Sequence, residues 1–193
     1  MSARAVVLVE GESDRLAVLA VAHRQHRDLL AERIEVVAMH GITNTRSFAR
    51  RYGPQGLALP LAGLYDAPEE HKLRIGLAQA GIAAARTEPL AQLGFFRCDR
   101  DLEDELIRAL RADAVEAVVE AAGELPSLRR LAQMPVQRDW PRERVLHRFL
   151  GVRSGRKARY APLLVAALAS GAEPPPLRAL LAHLAAPAAG GDG

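Results

Sequence analysis

Apolar and polar positions fall into short alternating blocks along the first half of the chain. Ala5–Val9 is an unbroken, β-branched apolar run, the pattern of a strand buried on both faces, and Gly11 ends it. Glu12 or Ser13 then opens a helical pattern through Leu16, Leu19, Ala20 and His23 to about Leu30. Residues 34–39 predict a second strand, and residues 43–52 a short helix stopped by Gly53-Pro54. Residues 57–65 predict a third strand ending at Asp66, although Pro60 implies a bulge or a late start. Pro68 suits the first turn of a helix running to about Gly81, and residues 94–98 predict a fourth strand.

After Cys98 the pattern is helical throughout, over about 102–111, 113–122, 126–132, 141–150, 157–170 and 177–184. Alternating strands and helices followed by helices alone predict an α/β fold. A small, mostly parallel sheet is flanked by helices, and a helical C-terminal half either wraps the sheet or forms its own lobe. We divide the chain into a core at 1–112, a helical extension at 113–186 and a disordered tail of small residues and glycine at 187–193. There is no internal repeat.

Composition changes this picture little. The chain has 193 residues, 49% of them apolar, enough for a substantial core. A net charge of only +3 permits nucleic-acid binding without requiring it. The single cysteine, Cys98, sits in an apolar strand and rules out an intrachain disulfide or a cysteine zinc site. No signal peptide or membrane-length apolar run is present, so the expected location is the cytoplasm, with no membrane partner. The six histidines show no metalloprotease spacing, and no Gly-x4-Gly-Lys-Ser/Thr phosphate loop occurs. His40 after the second strand suits a turn, and Trp140 before Pro141 suits packing.

Working residues in such sheets gather at the C-terminal strand ends, and three of these ends carry acids. Glu10 closes the first strand, with Asp14 one helical turn on. Asp66 closes the third, and Asp99, Asp101, Glu103, Asp104 and Glu105 follow the fourth. Each acid has an ordinary explanation. Glu10 could be a turn residue, Asp14 a first-turn acid favoured by the helix dipole, Asp66 a cap, and the run after Cys98 an acid-rich helix start. Their occurrence at successive strand ends favours hard divalent cations, magnesium or manganese, held among carboxylates.

Val7-Leu8-Val9-Glu10-Gly11-Glu12-Ser13-Asp14 resembles the first motif of TOPRIM domains, which have a Rossmann-like sheet. The order of later segments resembles the C-terminal nuclease region of OLD-family (overcoming lysogenization defect) endonucleases over most of residues 4–170. Gly63-Leu64-Tyr65-Asp66 matches the strand entering the second motif, Asp101-Leu102-Glu103 a third acidic element, and the segment around Lys157 a late element bearing a lysine. The resemblance implies one or two Mg2+ or Mn2+ ions on Glu10, Asp14, Asp66, Asp101 and Glu103. Glu10 and Lys157 would be catalytic, with Lys157 stabilising charge at the scissile phosphate. The second motif departs from the usual Asp-x-Asp, since Ala67-Pro68 follows Asp66. Glu69 or Glu70 are the candidate substitutes. OLD proteins also carry an ATPase, so control by ATP would come from a separate ATPase partner. The implied activity is cleavage of nucleic-acid phosphodiester bonds, DNA first. The alternative is a catalytically weak module that binds nucleic acid or a partner. The sequence is compatible with a homo-oligomer.

Lysine and arginine usage adds to this reading. Of 26 basic residues only Lys72 and Lys157 are lysines, so a lysine within Gly155-Arg156-Lys157-Ala158-Arg159 stands out. An ammonium is compact enough to meet one phosphate oxygen, which a guanidinium fork does less well. Lys72 reads as a helix residue pairing with Glu69. Arg153, Arg156 and Arg159 flank Lys157 and are the expected nucleic-acid contacts.

Overall fold

The computed structural model describes residues 3–185, so the expected tail at 187–193 lies outside the described residues. Four strands, β1 (Ala5–Val9), β2 (Ile34–Ala38), β3 (Leu61–Asp66) and β4 (Phe95–Cys98), form one parallel sheet in the order β2-β1-β3-β4. Val9 lies opposite Ala38, Leu8 opposite Gly63, and Asp66 opposite Cys98. The chain leaves β1 in one direction to form β2 and returns past it to form β3. The direction of winding therefore reverses between β1 and β3, which opens a crevice beyond their C-terminal ends. Glu10 and Asp66 stand at that crevice.

The apolar runs of β1 and β3 are buried because helices cover both faces of the sheet. On one face Val6 and Leu8 meet α2 (Thr45–Tyr52) and α3 (Glu70–Gln79) through Tyr52, Leu73 and Leu77. On the other, Val7 and Val9 share a continuous core with α1 (Glu12–Arg24), α4 (Leu102–Ala121), α6 (Arg142–Gly151), α7 (Arg156–Ala167) and α8 (Pro175–Ala185). The helical half therefore wraps one face of the sheet. The short α5 (Leu125–Ala132) adds Leu128 and Leu131 to the rim of this core. Gly63 lets β1, β3 and β4 approach, since a Cβ there would lie 2.3 Å from the Leu8 carbonyl oxygen.

Two boundaries differ from expectation, each for a local reason. The first helix stops at Arg24, not near Leu30, because His26 takes a left-handed φ of 57° and the Arg27 N–H turns back to the Ala22 carbonyl. Leu30 is left 84% exposed, while Leu29 is buried. The third strand starts at Leu61, because Pro60 has no N–H for the ladder; its carbonyl still accepts from Val6 N–H. The helices expected at 102–111 and 113–122 follow one another within α4, divided at Arg111 by a non-helical backbone (φ 67°, ψ 159°). No helix among the described residues is long and apolar enough to cross a membrane.

Candidate metal centre

Residues from β1, α1, β3, α4 and α7 meet at the crevice. β1 delivers Glu10, whose carbonyl accepts the Gly41 N–H at 3.0 Å, tying the strand end to the turn after β2. That turn needs His40 at φ 57° and Gly41 at φ 116°, so His40 has the turn role expected of it. Gly11 caps α1 in an extended conformation, and its N–H donates to Asp14 Oδ2 at 2.8 Å, folding Asp14 back over the strand end. Asp66 ends β3 beside them.

The carboxylates repel one another. Burial, then the fields of Asp14, Asp101, Glu10 and Glu103, push Asp66 up to about 8. Burial, then Glu103, push Asp14 up to about 7, against the opposing Gly11 N–H. Burial and then Glu69 raise Glu10, whose Oε2 is buried without a hydrogen-bond partner. An uncompensated carboxylate in a low-dielectric crevice holds its proton unless a cation takes its place.

Asp101 and Glu103 enter from the start of α4. Asp101 caps that helix, with Oδ1 accepting the Asp104 N–H at 2.9 Å. Its Oδ2 lies 2.6 Å from His147 Nε2 and 3.7 Å from Lys157 Nζ. Burial would raise Asp101, but His147, the Asp104 N–H and Lys157 together hold it below the usual carboxylate range. Glu103 is buried, with Oε2 2.7 Å from Lys157 Nζ and Oε1 without a partner. The rest of the acidic run turns elsewhere: Asp99, Asp104 and Glu105 all pair with Arg108.

The two candidate substitutes for the missing aspartate separate clearly. Ala67-Pro68-Glu69 forms one 3-10 turn before α3, and Glu69 lies close enough to Glu10 to raise it more than any other charge does. Lys72 pairs with Glu69 at 2.7 Å, as expected. Glu70 instead accepts from Arg74 Nε at 2.8 Å and lies 3.4 Å from the Tyr65 hydroxyl. Glu69 therefore acts on Glu10 through its charge, whereas Glu70 belongs to a neighbouring ion pair.

Among the arginines expected to contact nucleic acid, Arg156 requires correction. It is 5% exposed, stacks on Phe149 and donates to the Phe149 carbonyl and to Glu124 at 2.6 Å. A guanidinium buried against Phe149 and held by two acceptors is not presented to a phosphate at the surface. Arg159 shares the Glu124 carboxylate from the surface, and Arg153 is exposed. Sequence reasoning missed His147 altogether. No spacing motif marks it, and only the packing of α6 against α4 brings its ring to Asp101. Cys98 is buried, and burial raises its thiol, in keeping with an inert core residue.

The donors fit a hard divalent ion. Among the described residues no three His, Cys, Asp or Glu side chains form a ready-made cage. The partnerless oxygens of Glu10 and Glu103, with Asp14 and Asp66 raised beside them, are nevertheless what such an ion would neutralise. Lys157 supplies part of that neutralisation; burial lowers its ammonium, but Glu103 and Asp101 outweigh burial and keep it charged.

Comparison with known proteins agrees with this architecture. Residues 1–67 match the family model described as Overcoming lysogenization defect protein-like, TOPRIM domain. The chain is similar to the C-terminal region of the Xanthomonas campestris pv. campestris OLD protein, with 27% identity, a TM-score of 0.70 and 94% of each chain covered. It is similar also to the C-terminal region of the Burkholderia pseudomallei OLD protein, with 25% identity, a TM-score of 0.70, and 95% of this chain and 98% of that one covered. Comparison with curated proteins gave no match. The chain thus carries an OLD-like TOPRIM match across its first 67 residues and, over nearly its full length, the fold of OLD C-terminal regions.

Proposed function

We propose that this chain is a divalent-metal-dependent, nuclease-type module that hydrolyses phosphodiester bonds in nucleic acid, DNA first. One observation carries the proposal: Glu10, Asp14, Asp66 and Glu103 meet at the switch point of a parallel sheet as under-compensated carboxylates beside the ammonium of Lys157. Glu10, Asp14, Asp66 and Glu103 would hold Mg2+ or Mn2+, with Glu69 in place of the second aspartate and Asp101 contributing from the cap of α4. A bound ion supplies charge neutralisation and Lewis acidity at the phosphate. Lys157 stands at the rim, where its N–H groups can donate to a non-bridging phosphate oxygen as negative charge develops there. Asp101 and His147 hold one another in position, which orients the start of α4 and with it Glu103.

The test is cleavage of supercoiled plasmid with manganese by the wild-type chain, Glu10→Gln and Lys157→Ala. Metal-dependent cleavage by the wild type alone supports the assignment. Cleavage that survives both changes sinks it.

A second reading, a catalytically weak module that binds nucleic acid or a partner, is favoured by Ala67-Pro68 where a second aspartate is usual and by the lack of a ready-made cage among the described residues. Calorimetric titration with Mn2+ separates the two. Absence of heat in the millimolar range favours the binding module.

A further inference from the structure

A groove of about 400 Å3 opens beside the acidic crevice, lined chiefly by Arg100, Gln137, Trp140, Arg144, His147 and Arg148. No carboxylate lines it; Asp139 and Glu143, neighbours in sequence, are not among its lining residues. Several arginines elsewhere in the chain bind acids, Arg15, Arg27, Arg74, Arg108, Arg142, Arg156 and Arg159 among them. Among the described residues, Arg100, Arg144 and Arg148 form no ion pair, and all three are exposed. Arg144 and Arg148 are also one turn apart on α6, where like charges weaken a helix. An anion bound across these three guanidinium groups would relieve that repulsion.

The groove is joined to the candidate centre by covalent and hydrogen-bonded links. Arg100 directly precedes Asp101, and His147, on the same stripe of α6 as Arg144 and Arg148, reaches Asp101 at 2.6 Å. Val145, Leu146, Phe149 and Leu150 bury the opposite side of α6, so the stripe cannot rotate away. Trp140 holds Arg144 in place, with the guanidinium carbon 3.7 Å from the centroid of the indole. A guanidinium stacked on an aromatic face keeps its edge donors directed outward and loses less freedom on binding.

We infer that this groove binds the phosphate backbone of the nucleic-acid substrate where it leaves the cleavage site, with Arg100, Arg144 and Arg148 contacting successive phosphates. The inference rests on the proposed nuclease reading. It assigns the contacts expected of Arg156 to a different helix.

The test is fluorescence anisotropy with a fluorescein-labelled oligonucleotide, as single strand and as duplex, in Ca2+ across a salt series. The variants are Arg144→Glu with Arg148→Glu, and Arg100→Glu with Arg148→Glu; the second pair leaves the Arg144–Trp140 stack intact. Each pair should weaken binding by about tenfold or more and lower the slope of log K against log salt by roughly two, one for each phosphate that an arginine no longer neutralises. Manganese titration of both should match the wild type, which separates groove damage from damage to the acidic centre. Wild-type affinity and an unchanged salt slope in both variants would overturn the groove while leaving the nuclease reading in place. Failure of the wild-type chain to bind either oligonucleotide would overturn both.

Discussion

Lys157 Nζ lies 2.7 Å from Glu103 Oε2, joining a helix at residue 157 to the buried start of α4 across 54 residues of chain. The Lys157 side chain keeps 40% of its surface exposed, whereas that of Glu103 keeps 6%. The pair is therefore asymmetric, and losing the lysine costs more than losing an exposed ion pair would.

Lys157→Ala leaves Glu103 buried without its countercharge. We expect a loss of about 1–3 kcal/mol, towards the lower end because water reaches the lysine side. Metal-dependent cleavage should be lost as well. Adding Glu103→Gln should restore most of the stability but none of the cleavage. Urea titration and plasmid assays on both variants check this; recovery of activity by the double change would show that Lys157 acts only as a strut.

Glu69 and Glu70 are adjacent in sequence and opposite in expected effect. Glu69→Gln should weaken Mn2+ binding by about tenfold or more, since it removes a candidate ligand. Glu70→Gln should leave Mn2+ affinity unchanged and cost at most about 1 kcal/mol through the half-buried Arg74 pair. Titration calorimetry on both variants decides the matter, and equal losses would remove Glu69 from the centre.

Asp14, pushed up to about 7, and Asp66, pushed up to about 8, make the metal-free chain sensitive to pH. In the unfolded chain both ionise near the ordinary aspartate value of about 3.9, while the folded chain holds its protons. Between these limits the unfolded state binds fewer protons, so stability falls as pH rises from about 4 to about 8. Melting in EDTA should therefore occur at lower temperature at pH 8.5 than at pH 6. Added Mg2+ or Mn2+ should raise the melting temperature more at the higher pH, where the ion no longer competes with protons. A flat profile in EDTA would show that the carboxylates are solvated.

Arg111 breaks α4 at φ 67°, ψ 159°, a conformation that only glycine adopts without strain. Its side chain is exposed and forms no ion pair among the described residues. Arg111→Gly should stabilise the chain by about 1 kcal/mol, which corresponds to roughly 2–4 °C in melting temperature at this size. Thermal unfolding followed by circular dichroism measures it; a lower melting temperature would mean that the kink is not strained.

The order of elements was legible in the chain, because β-branched runs, helical periodicity and Gly or Pro stops are local signals. β1 lies where its apolar run lies, with Glu10 and Asp66 at strand ends and Asp14 in the first turn of α1, where the sequence places them. The ends of α1 and β3 were less legible, since a left-handed His26 and a ladder starved of the Pro60 N–H are backbone events. Tertiary structure alone decided the rest. Packing of α6 against α4 brings His147 to Asp101 and leaves Arg144 and Arg148 facing an acid-free groove, and the start of α7 seats Arg156 against Glu124 and Phe149. At the end of one 3-10 turn, Glu69 feels Glu10 while Glu70 pairs with Arg74. A residue's type and spacing announce its own strand or helix; which side chain it meets depends on how distant helices dock, and that information is spread over the whole core.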